Sequence, residues 1–88
     1  MFAPKRGDLL IRMRLSDETT AFFVVVDPLT QRVLSQPFSS LREAAVFAAG
    51  AAAAGGTIWQ ENVDLRQRQV GPPVRLPIRT SGPARRSA

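Results

Sequence analysis

From Asp8 the chain alternates between apolar and mixed positions with a period of two. Leu9, Ile11, Met13 and Leu15 fall on one face of an extended segment, and Leu10, Arg12 and Arg14 on the other. This is the pattern of a strand with one buried face. The polar break Ser16-Asp17-Glu18-Thr19 suits a hairpin turn. The run TAFFVVV at 20–26 has no alternation and is rich in β-branched and aromatic residues, so it predicts a central strand or one covered on both faces. Asp27-Pro28 opens a turn, since proline pre-sets the backbone for a second turn position. A weaker extended pattern follows at 32–38, with Pro37 marking an edge or a strand end. Together these segments predict a three-stranded antiparallel meander.

Period two then gives way to a helical signal. Ser40 and Glu43 are spaced as a capping box, in which hydroxyl and carboxylate satisfy free N–H groups of a first turn. Alanine dominates the following positions, and Gly55-Gly56 supplies a stop, so the helix is expected to reach about Ala54. Gly50 is its one interior weakness, at roughly 1 kcal/mol relative to Ala. At helical spacing Leu41, Ala44, Ala45, Phe47, Ala48, Ala51 and Ala52 form the side assigned to the sheet. Val46, Gly50, Ala53 and Ala54 lie opposite, with Arg42 and Glu43 near the start. Beyond Glu43 that outer side is bare of charge, which marks a helix covered on both sides. Thr57-Ile58-Trp59-Gln60 then reads as a short fourth strand, with a continuation through Val63 to Leu65.

The expected architecture is therefore α+β in the order βββαβ, with one helix packed on the sheet. Residues 1–7 read as a flexible lead-in and 8–70 as a single domain. Gly71-Pro72-Pro73 is expected to end regular structure, and the proline-rich stretch 71–88 to form a disordered basic tail.

Composition changes this picture in three ways. The net charge of +5 resides mostly in the tail, where Arg75, Arg79, Arg85 and Arg86 stand without an acid. Residues 1–70 are close to neutral, so the basic balance adds phosphate affinity without by itself reading a sequence. The chain has no Cys and no His, which removes disulfides and the usual zinc ligands. A chain of 88 residues buries a thin core, so packing must supply its stability, with a second copy as one source. No apolar run approaches a bilayer span, and the N-terminus lacks the apolar stretch of a signal peptide, so a cytoplasmic location without membrane contact is expected.

Catalytic chemistry finds little to work with. Without His, Cys or Tyr a serine nucleophile lacks its usual base, and Lys5, the only lysine, sits in the lead-in. The carboxylates have structural uses: Asp17 and Glu18 in a turn, Asp27 before Pro28, Glu43 in the helix cap. Gly55-Gly56 follows a helix and so stands at the wrong end for a phosphate cradle. No cofactor, metal or small-molecule substrate is indicated, and the chain is read as a non-enzyme.

The segment PFSSLREAAVFAAGAAAAGG, with Phe38, Ser40, Glu43 and Ala44 at its junction, resembles two kinds of small domain. One is a set of uncharacterised bacterial domains in which a strand leads into an alanine-rich helix. The other is the AP2-like and integrase arm-binding group, built of three strands and a helix. The second resemblance implies DNA contacts from basic residues on the outer sheet face.

Two functional expectations follow. The first is a self-associating interaction module, a homodimer or a binder of another protein, using Val46, Gly50, Ala53, Ala54 and Trp59. The second is nucleic-acid binding through Arg12, Arg14 and Arg32 on the sheet and Arg75, Arg79, Arg85 and Arg86 beyond it.

Overall fold

The computed structural model describes residues 2–16, 20–53, 55–64 and 69–78. The first strand is β1, Leu9–Leu15, and the second β2, Ala21–Val26. They pair antiparallel as predicted, with Ile11 beside Val25 and Met13 beside Phe23. Of the predicted turn between them, residues 17–19 lie outside the described residues. Its base is closed by Ser16 N–H donating to the Thr20 carbonyl at 2.9 Å.

The expected third strand is not a strand. Residues 33–38 touch β2 through two isolated bridges, Val26 with Val33 and Phe23 with Phe38. Three steps along β2 are matched by five along this segment, so a continuous ladder cannot form. The Ser35 hydroxyl fills the gap by accepting the Val25 N–H at 2.9 Å. The segment acts as a strap that satisfies the outer edge of β2. The Asp27-Pro28 turn leading into it forms as expected. Asp27 Oδ1 accepts the Leu29 N–H, and Gln31 takes the left-handed backbone at φ 66°.

The helix α1, Leu41–Ala51, starts where its cap predicts. Ser40 Oγ accepts the Glu43 N–H at 3.2 Å, and the Glu43 carboxylate accepts the hydroxyls of Ser39 and Ser40. It ends earlier than alanine content alone suggests, because Ala52 turns extended and is buried. The stop is therefore set by packing, and the glycines after it have another use. A Cβ on Gly56 would stand 2.6 Å from the Gly7 carbonyl oxygen, so the two backbones meet there.

Strand β3, Ile58–Asp64, runs parallel to β1, with Ile58 beside Leu9. Strand β4, Gln69–Leu76, returns antiparallel to β3. The predicted end of regular structure at Gly71-Pro72-Pro73 thus gives way to a strand. The prolines are tolerated because β4 lies at the sheet edge and the register shifts opposite them, between Gln60 and Asn62. Among the described residues the result is one mixed sheet in the order β2-β1-β3-β4, in place of an antiparallel meander. The α+β class stands. Strand β2, predicted to be central or covered on both faces, is at an edge of the sheet, and β1 holds an inner place.

The core lies between α1 and one sheet face. Leu9, Ile11, Val25 and Ile58 meet Ala44, Ala48 and Ala52, flanked by Phe23, Phe38, Leu41, Ala45, Leu76 and Ile78. Large side chains on the sheet face small ones on the helix, which lets the helix sit close. The face α1 buries is narrower than predicted. Phe47 and Ala51, assigned to the sheet side, are exposed, although the Phe47 ring still lies 5.7 Å from that of Phe38.

Candidate interaction surface

The outer side of α1 presents Val46 and Gly50, with Ala53 just beyond the helix, all exposed. Val46 is 67% exposed and Phe47 beside it 37%. No charged residue occurs between Glu43 and the end of the helix. Gly50 has open space where a side chain would stand. Ala54, the remaining helix position of the predicted interface, lies outside the described residues.

Trp59 belongs elsewhere. It follows Ile58, whose side chain enters the core under α1, so it projects from the opposite sheet face. Its indole N–H donates to Asp8 Oδ2 at 3.1 Å, and its ring meets Phe2 edge-on at 5.0 Å. Trp59 is therefore anchored by its own chain and does not join Val46 and Gly50 in one surface.

Asp8 organises that end of the molecule. It is buried and accepts the backbone N–H groups of Lys5 and Thr57, each at 2.9 Å, besides the Trp59 indole. Burial alone pushes its carboxyl pKa up; these hydrogen bonds and the nearby Lys5 charge outweigh it and hold the pKa below the usual value. Through Lys5 and Phe2 the lead-in is fastened to β3.

The predicted nucleic-acid residues are divided by the fold. Arg12 and Arg14 share the sheet face away from α1, as expected, but both turn to Glu61. Arg14 Nη1 donates to Glu61 Oε1 at 2.9 Å, and Arg12 Nε stands 3.4 Å from Oε2 in an ion pair without hydrogen-bond geometry. Arg12 also donates to Gln31 Oε1, and Arg14 to the Met13 carbonyl. Glu61 is nearly buried while Arg14 is exposed and Arg12 half-buried, so the two arginines cover a buried carboxylate at the sheet surface. Arg75 is exposed on β4 beside Trp59. Arg32 is exposed in the loop after β2 and does not lie on a strand. Arg79, Arg85 and Arg86 lie outside the described residues.

Sequence reasoning missed Asp8 and Glu61. Alternation along β3 places Trp59 and Glu61 on one face, which is a usable signal. The parallel pairing that carries Glu61 to Arg12 and Arg14 has no local signature. Among the described residues no cavity forms, no three potential metal ligands converge, and no helix is long and apolar enough to cross a membrane. Comparison of the chain with protein-family models, with curated proteins and with solved structures finds no match.

Proposed function

We propose that this chain is a small non-enzymatic interaction module that self-associates. The observation that carries this reading is the outer side of α1, where Val46 and Phe47 face water along a charge-free stretch of helix. A thin core with apolar side chains left outside gains from burying them against another chain. Nucleic-acid recognition by the sheet is the weaker reading, because Arg12 and Arg14 already pair with Glu61. Phosphate binding there would compete with a carboxylate in place.

The test is the mass in solution by light scattering at tens of micromolar. The expected result is twice the chain mass of 9.6 kDa, falling on dilution. A mass that stays at that of one chain overturns the proposal.

A further inference from the structure

We infer that this sheet is closed to strand addition at both edges, so that a second chain, copy or other protein, docks on its faces. An open edge offers alternating N–H and C=O groups to an incoming strand and invites pairing between sheets. Here each edge is blocked by a different device. At the β2 edge it is the strap. Phe23 exchanges both of its outward hydrogen bonds with Phe38, each at 2.8 Å. Val25 N–H donates to the Ser35 hydroxyl at 2.9 Å, and its carbonyl accepts the Leu34 N–H at 2.8 Å. Just past the strand, the Arg32 carbonyl takes the Asp27 N–H at 2.9 Å. From Phe23 onward this edge has its ladder partners in place.

At the β4 edge the block is proline. Leu9 N–H donates to the Thr57 carbonyl at 3.1 Å, so alternation along β3 points the backbone groups of Ile58 and Gln60 at β4. Their partners Leu76 and Val74 point back at β3, which leaves positions 73, 75 and 77 facing outward. Residues 73 and 77 are proline and have no N–H to offer. Pro77 also turns the chain off the strand line, with the Ile78 N–H donating back to the Leu76 carbonyl at 2.8 Å. Pro72 removes a further donor at the register shift. Arg75 therefore carries the one outward N–H between Gly71 and Ile78, too few for a ladder. The self-association proposed above is thereby left to the helix side or the far sheet face.

Amide exchange of the full chain, followed by NMR at the concentration used for light scattering, tests this without relying on a variant. Arg75 should exchange on the order of ten-fold faster than Val74 and Leu76, while Phe23 and Val25 stay protected. Protection of Arg75 equal to that of its neighbours would mean that a strand has been added, and overturns the inference. A monomer showing the expected exchange keeps the edges closed and overturns only the self-association. Pro73→Thr/Pro77→Thr restores outward donors at 73, 75 and 77, which is the spacing of a ladder. The variant should form β-sheet assemblies, read as a thioflavin T signal roughly ten-fold above the parent. A variant that unfolds cooperatively and stays as free of assemblies as the parent overturns the inference as well.

Discussion

At the scale of single residues, the glycines show why identity alone does not give a role. Gly50 reads as an interior weakness of the helix, and Gly56 as part of its stop. Gly50 sits in helical backbone with open space around the missing Cβ, so Gly50→Ala should stabilise an isolated chain by about 1 kcal/mol. Gly56 is wedged against the carbonyls of Gly7 and Ala53, and Gly56→Ala should cost about 2 kcal/mol as the backbones are forced apart. Urea denaturation of the two variants, at a concentration where the parent is monomeric, should move the midpoints in opposite directions. Shifts of the same sign would show that the Gly7–Gly56 contact is misassigned.

Asp8 adds a pH dependence. Its pKa is lower folded than unfolded, so its stabilising contribution is complete above the unfolded value. It is lost as the pH falls through the folded one. Asp8→Asn leaves a single acceptor oxygen for three donors and should cost about 2 kcal/mol at neutral pH. Below pH ~4 the parent should lose stability toward the variant as Asp8 protonates. Denaturation curves in acid and at neutral pH check this, and a parent–variant gap that does not narrow in acid contradicts it.

At the scale of elements, legibility followed locality. Strands β1 and β2, the cap of α1 and the start of β3 each carry their pattern within a few residues, and each forms where that pattern places it. The strap at 33–38 has enough extended character to read as a strand. Only its register against β2, set by residues far away in sequence, denies it a ladder. Strand β4 was hidden by its own composition, since Gly71-Pro72-Pro73 reads as the end of regular structure. An edge position with a register shift accommodates these residues. Its contribution is substantial, because Leu76 and the following Ile78 pack on the core. A chain ending at residue 70 should therefore lose its cooperative unfolding transition. Calorimetry checks this, and a truncated chain that melts like the parent would remove β4 from the folded unit.

At the scale of the whole molecule, the parallel pairing of β1 with β3 determines which surfaces are free. It brings Glu61 to Arg12 and Arg14 and commits the most promising basic pair to an internal contact. It also places Trp59 on the far side of the sheet from α1. Of the two expected surfaces, the outer helix side at Val46 and Gly50 is the one that stays exposed, while Ala53 meets Gly7 and Gly56. Glu61→Gln should lower stability by about 1 kcal/mol in urea denaturation, a modest loss because Arg14 is partly exposed to solvent. An unchanged midpoint would mean that the cluster contributes nothing net.

The central claim is that the outer face of α1 is where two copies meet. Gly50→Leu tests it most directly, because a side chain there enters open space in the single chain but stands out from the face on which a second copy would dock. Light scattering at tens of micromolar, read beside thermal unfolding at low concentration, separates association from folding. The account predicts a variant that is monomeric where the parent is dimeric, and that melts no lower than the parent monomer. A Gly50→Leu protein that remains as dimeric as the parent would contradict it.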